Sequence, residues 1–341
     1  MQKQYLPVFL AISLMLNLLL GIAVVLLIPK SGEPAAETTV PADVTMPATI
    51  PSQVPVTTEP AQTDLPTTQS PVTEPPVTEP AATQPPATKP PATQPPAEYI
   101  GTLYTRQQLE KLDNALISYG PGTAKNGSPA PYAGPAQEKY GKYGGHFIKS
   151  EEGVIYLTFD CGYEYFVDGQ PLTGLILDTL KEKDVKAVFF VTLSYVKNNP
   201  DLVRRMIDEG HVVGNHSAAH HSMPSLTIDE MVDEIMDLHK YMEQNFSYTM
   251  HLFRPPSGEF SIRSLAVTQS LGYETVHWSF AYADWDTAHQ PELPAALEKI
   301  LSCHHDGAIY LLHAVSETNA AVLGEVIDGL RSMGYTLELF T

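Results

Sequence analysis

The composition of residues 31 to 97 rules out a hydrophobic core. The stretch is dominated by Pro, Thr, Ala, Val, Gln and Glu, and from Val72 it falls into the five-residue units VTEPP, VTEPA, ATQPP, ATKPP and ATQPP. Proline at this density fixes φ and removes backbone donors, so the segment is expected to be a disordered, extended, polyproline-like linker. At about 3.1 Å per residue its 67 residues reach at most roughly 200 Å.

Before the linker, the 23 residues from Leu6 to Ile28 carry no charge and are flanked by Lys3 and Lys30. As a helix they would span about 34 Å, enough to cross a bilayer core. A cleaved signal peptide is the competing reading, but the apolar run is long for one and no small-x-small cleavage site follows it. A single-pass transmembrane signal anchor at 1–30 is therefore expected. Lys3 and the amino terminus favour a cytoplasmic start, which places the remainder at the cell membrane on the extracytoplasmic, cell-wall side.

Residues 98–341 remain to fold, as an irregular Gly/Pro/Tyr-rich lead-in at 98–152 and a patterned domain at 153–341. They carry 17 basic and 32 acidic side chains, a net of −15. That balance argues against nucleic acid as a partner, and says little about an uncharged or acidic sugar polymer. Two cysteines in an exported chain ordinarily suggest a disulfide.

Apolar runs alternate with helical signals through the patterned domain. The strand candidates are 154–159, 186–193, 211–216, 274–280, 308–313 and 335–340, with a short one in LFRPP. Helix candidates fall at 173–183, after Asn199 with Pro200 at the first helical position, after Thr227 with Glu230 completing a capping box, and at 261–271, 293–302 and 319–332. Continuously apolar strands alternating with helices predict an α/β fold with a parallel sheet, closed or nearly closed into a distorted (β/α) barrel of seven or eight units. In such barrels the working residues sit just past the carboxyl ends of strands. Those positions hold Asp160, His216 with His220, Arg254, Asp284 and His313.

Each of these has an ordinary explanation when taken alone. His216 and His220 are spaced i, i+4, which suits two ligands of one divalent ion, but a polar loop can also hold two histidines. His221, next in the chain, would point elsewhere and is not counted as a ligand. Asp160 could satisfy loop amides, Arg254 could pair with a surface acid, and Asp284 could be a loop acid. His313 is harder to dismiss, because an imidazole ending a buried strand needs a partner or a role. Cys303 precedes its strand while Cys161 follows its own, which puts them at opposite barrel ends and disfavours a disulfide.

The segments TFDCGY, HSAAH, RPPSG, DW and LLH resemble, in order and spacing, the five motifs of the polysaccharide deacetylase family, carbohydrate esterases with a NodB homology domain. The longer matches TFDCGYE, RPPSGEFS, HWSFAYADWD and IYLLHAVSETNAAVL are most similar to the sporulation-type delta-lactam-biosynthetic deacetylases, which act on N-acetylmuramic acid of peptidoglycan. The resemblance implies that His216 and His220 hold a divalent metal and that Asp160 is the general base. It further implies that Arg254 orients Asp160, that Asp284 steadies the charged network, that His313 protonates the leaving amine, and that the Ser257 backbone amide meets the oxyanion. Cys161 stands where most members carry a third metal-binding acid. Either it completes a Cys-His-His site, which favours Zn2+ over Mn2+, Co2+ or Mg2+, or it fills space. Expected partners are peptidoglycan glycan strands and, through the first helix, the membrane. The alternatives are a deacetylase of N-acetylglucosamine-containing glycan and a non-catalytic cell-wall-binding module.

Overall fold

The computed structural model describes residues 103–125 and 127–341. The expected anchor and linker lie outside the described residues. Among the described residues, no helix is long and apolar enough to cross a membrane.

The lead-in forms α1 (Arg106–Lys111), β1 (Ile117–Ser118), α2 (Ala133–Tyr140) and β2 (Gly145–His146). The patterned domain continues with β3 (Val154–Cys161), the hairpin β4 (Phe166–Val167) and β5 (Gln170–Pro171), α3 (Leu172–Glu182), β6 (Val188–Val191), α4 (Leu193–Asn198) and α5 (Pro200–Asp208). Then follow β7 (Val212–Asn215), α6 (Ile228–Phe246), β8 (Leu252–Phe253), β9 (Glu259–Phe260), α7 (Ile262–Ser270) and β10 (Glu274–Val276). The chain ends through α8 (Leu293–Ser302), β11 (Ala308–His313), α9 (Glu317–Ser332) and β12 (Thr336–Glu338).

Local chemistry explains several boundaries. Thr227 and Glu230 form the expected capping box at the start of α6. Before Pro200 the structure has a helix that the sequence pattern did not show: Thr192 caps α4 by accepting from the Tyr195 amide. Asn199 makes no cap bond there; its side-chain amide donates to the Tyr195 carbonyl at 3.1 Å.

The main sheet has eight strands, in the order β11-β3-β6-β7-β8-β10-β2, with β12 also on β3. Every pairing within it is parallel. The sheet curls, and beyond β10 the bridge Phe280↔Tyr310 touches the chain back onto β11. The expected barrel is thus a curled parallel sheet in which the chain beyond β10 meets β11 through an isolated bridge. Strand side chains alternate between two layers. Tyr156, Val188, Phe190, Val212, Leu252, Val276 and Ile309 pack together with Phe340 on one face. Ile155, Leu157, Phe159, Phe189, Val191 and Val213 pack on the other with apolar residues of α3, α6 and α9. Each such buried side chain contributes about 1.5–3 kcal/mol.

Strand register sets which polar side chains meet at the rim. Asp160 pairs directly with His313 across β3 and β11. One step further along the strands, Cys161, Val191, Asn215 and Phe253 are in mutual register, so His216 and Arg254 both leave the sheet at one rim.

Candidate active site

A cleft of about 810 Å³ opens at this rim, lined among others by Asp160, His216, His220, Ser257, Trp285 and His313. Asp160 is buried and accepts from Arg254 Nη1 at 2.9 Å. Arg254 has no exposure at all. Its Nε donates to the Val276 carbonyl at 3.0 Å and Nη2 to the His277 carbonyl at 3.2 Å. Its guanidinium carbon lies 4.2 Å from the Phe190 ring centroid. Burial pushes the Asp160 carboxyl up, but the charges of Arg254, His216 and His313 outweigh it, and the net shift is downward. Asp160 is therefore ionised at neutral pH, as a proton acceptor must be.

His313, the register partner of Asp160, is held by a second buried carboxylate. Its Nδ1 meets Asp284 Oδ1 at 2.7 Å and its backbone amide donates to Asp284 Oδ2 at 2.8 Å. Asp284 is fully buried. Burial lowers the basicity of His313, while the hydrogen bond and charge of Asp284 and the charge of Asp160 raise it, for a net upward shift. With Nδ1 committed to Asp284, Nε2 is the nitrogen left for transfer.

The two loop imidazoles come together, with ring centroids 4.8 Å apart. His216 Nδ1 donates to the Arg254 carbonyl at 2.8 Å, which leaves the lone pair on Nε2. Burial, with further lowering from His220 and Arg254 against the opposing charge of Asp160, holds His216 at about 4, so its ring is neutral. Asp160 Oδ2 stands 3.6 Å from His216 Nε2, beyond hydrogen-bond range. A neutral, oriented imidazole beside a second one, with an ionised carboxylate close by, fits a divalent cation. The turn that carries the two imidazoles is strained: Ser217 (φ 69°) and His220 (φ 60°) are both left-handed.

Glu234 of α6 holds that turn, a role no local pattern announced. It accepts from the Ala219 amide at 2.9 Å and pairs with His221 Nδ1 at 2.8 Å. His221, not expected to be a ligand, is thus a tether. Glu164, in the CGYEY run, likewise accepts from Tyr195 Oη at 2.8 Å and from the Thr173 amide at 3.1 Å, fixing the loop that bears Tyr163. Ser257 lines the cleft with a left-handed φ of 57°.

The Cys-His-His alternative for Cys161 requires correction. Asp160 continues the face of Tyr156, whereas Cys161 continues the opposite face and packs, with no exposure, in the layer of Leu157, Phe159 and Tyr195. It does not line the cleft. Burial, with the nearby charges of Glu164 and Asp160, raises its thiol well above the usual range and keeps it protonated. Among the described residues, no group of three or more His, Cys, Asp or Glu side chains is spaced to hold a metal. Cys303 is also a free thiol, so the disfavoured disulfide is absent.

Comparisons with known proteins place the chain among its relatives. The profile of the Polysaccharide deacetylase family matches residues 148–276. The peptidoglycan-N-acetylmuramic acid deacetylase PdaA of Bacillus subtilis is 37% identical over 233 residues, 68% of this chain and 87% of that protein. The structure of Bacillus subtilis PdaA, a family 4 carbohydrate esterase, matches with a TM-score of 0.63 at 36% identity, covering 67% of this chain and 96% of that one. The peptidoglycan-N-acetylglucosamine deacetylase PgdA of Listeria monocytogenes is 35% identical over 181 residues, 53% of this chain and 36% of that protein. With the ordered motifs, the shared fold and a relative matched over most of its length, this chain belongs to the polysaccharide deacetylase family.

Proposed function

We propose that the chain hydrolyses the N-acetyl group of N-acetylmuramic acid residues in peptidoglycan, on the route to muramic delta-lactam. The observation that carries this reading is the parallel register that sets Asp160 beside His313, with His216 and His220 on the same rim. The similarity to PdaA over most of its length supports the muramic substrate.

His216 and His220 would hold a divalent cation, Zn2+ by preference for imidazole, with Mn2+, Co2+ and Mg2+ as the other choices. When bound, it would polarise the acetamide carbonyl and acidify a water. Asp160, kept ionised by Arg254, takes the proton of the attacking water. The Ser257 backbone amide would donate to the developing oxyanion. His313, steadied by Asp284, delivers a proton from Nε2 to the sugar nitrogen, without which the amine is a poor leaving group. The cleft wall between Tyr163 and Trp285, both about half exposed, offers aromatic faces to sugar rings.

The anchor read from residues 1–30 and the linker at 31–97 support a placement in which the catalytic domain works in the wall while tethered to the membrane. Incubating the full chain with peptide-stripped peptidoglycan, followed by mass spectrometry of the digested glycan, tests the function. Acetate release with muramic acid as the amine-bearing sugar is expected. Deacetylated glucosamine beside intact N-acetylmuramic acid overturns the substrate, and no acetate release at any cation loading overturns the activity.

A further inference from the structure

Among the described residues, Asp284 is a buried carboxylate paired with a histidine and with no Arg or Lys. Apart from His313, its side-chain donor is Asn319 in the first turn of α9, whose Nδ2 meets Asp284 Oδ2 at 2.6 Å. The same Nδ2 is 3.2 Å from the His313 carbonyl. On its other side, Asn319 Oδ1 accepts from the Tyr282 hydroxyl. Asn319 is itself buried, at 2% exposure, and its backbone amide donates to the Ser316 hydroxyl at 3.0 Å. The side-chain amide therefore has one workable orientation. Turned over, it would set an oxygen against the oxygen of a buried carboxylate.

We propose that Asn319, locked by Tyr282, is a positioning residue for the proton donor. It holds Oδ2 of Asp284 so that Oδ1 stays on His313 Nδ1, which fixes the imidazole tautomer and leaves Nε2 in the cleft. A neutral donor suits this position, because a cation at Asn319 would neutralise Asp284 and withdraw the support that His313 receives from it. The charged and titratable groups acting on His313 are Asp284 from the loop after β10, Asp160 of β3 and Arg254 after β8. Of these three, Asp284 is the one whose side chain meets Asn319, and the titratable Tyr282 hydroxyl meets it from the other side. The 284–290 loop is braced independently, since Gln290 Nε2 donates to the Asp284 carbonyl at 2.9 Å and Gln290 Oε1 accepts from Ser316 Oγ at 2.6 Å. Losing the Asn319 amide thus leaves the loop attached and leaves Oδ2 of Asp284 held by the His313 backbone amide alone.

The inference rests on His313 acting as the acid, and its test is separable from that reading. Full-length chain labelled with 15N-histidine, in detergent micelles and loaded with Zn2+, is titrated by NMR, with His313 assigned by the loss of its signals in His313→Gln. In the wild type the neutral ring is expected to carry its proton on Nδ1. Asn319→Leu keeps the volume and removes the amide. The His313 midpoint is expected to fall by about one pH unit and the tautomer to become mixed. On peptide-stripped glycan, kcat is expected to fall at least about tenfold while KM stays within about twofold. Tyr282→Phe, which only unlocks the amide, shifts the midpoint the same way by less, and it decides the matter if the leucine variant does not fold. An unchanged midpoint and tautomer overturn the proposal, whatever the melting temperature does. A raised midpoint also overturns it, because Asp284 would then still be seated on the ring. If the wild type releases no acetate, the deacetylase reading fails while the titration still decides the role of Asn319.

Discussion

The two halves of the cleft are built differently. Asp160 and His313 end neighbouring parallel strands and are register partners, so the sheet itself sets their separation. His216 leaves a strand, but His220 sits past a turn with two left-handed non-glycine residues, and that turn survives because Glu234 reaches across from α6. Backbone pairing makes the proposed acid–base side rigid. The proposed cation side depends on side-chain contacts reaching from a neighbouring helix, and should be the easier of the two to loosen without stopping the chain from folding.

Substitutions on the rigid side should have the largest effects. Asp160→Asn removes the proton acceptor and should lower kcat about 10³-fold. It also leaves the Arg254 guanidinium buried without its carboxylate, which should cost about 3 kcal/mol of stability. Both are read from acetate release and urea denaturation, and a fully stable variant would show that the ion pair is not a support of the fold. His313→Gln comes next, with kcat down about 10²-fold and KM nearly unchanged, since the acid acts only as the amine departs. A loss expressed mainly in KM would move His313 from chemistry to binding.

Glu234→Ala tests the softer side. The Ala218 amide keeps its backbone acceptor, the Glu234 carbonyl, but Ala219 and His221 lose theirs. Cation affinity, measured by competition with a chromogenic chelator, should fall about 10–100-fold, while saturating Zn2+ restores most of kcat. Failure of excess Zn2+ to restore activity would mean that the turn does not hold its shape even when liganded, and the contrast between the two halves would vanish.

The difference in construction explains what could be read from the sequence. Asp160 and His313 were legible because an apolar run followed by a polar residue is a local signal with a structural meaning at the end of a barrel strand. Thr227 and Glu230 were legible for the same reason, being three residues apart. Glu234 and Asn319 were not, because each is an ordinary polar residue on a helix whose partner lies across a turn of the fold. Cys161 shows the limit most clearly. Neighbours in sequence within a strand face opposite layers, and its adjacency to Asp160 says nothing about which layer holds the thiol.

Stability against pH should also separate the two sides. His211 and His216 are held at about 4, chiefly by burial, against 6.5 in the unfolded chain. Between those values the unfolded chain takes protons that the folded one refuses, so stability is present above 6.5 and is lost as pH falls toward 4. His313 runs the other way: its raised value contributes stability below 6.5 that is lost as pH rises through it. In chelator, urea denaturation at pH 5 should show on the order of 2 kcal/mol less stability per buried imidazole than at pH 7, less whatever His313 returns. Exchange of His216 for Gln should remove its own share of the acid loss and leave that of the other buried imidazoles, His211 and His277 among them, and an unchanged slope would show that the His216 ring already takes up a proton in the folded chain.

The smallest effect is expected at the residue that lies beside the base yet outside the cleft. The Cys161 thiol is packed against the helix layer, protonated, and turned from the face that Asp160 shares with Tyr156. Cys161→Ala should therefore keep the cation stoichiometry and leave kcat within about twofold, at a stability cost of about 1 kcal/mol for the small cavity. Zn2+ analysis of the purified variant beside acetate release measures both. If the cation is lost while the fold persists, β3 must twist at its end far enough to deliver Cys161 to the rim, and both sides of the cleft would then contribute ligands.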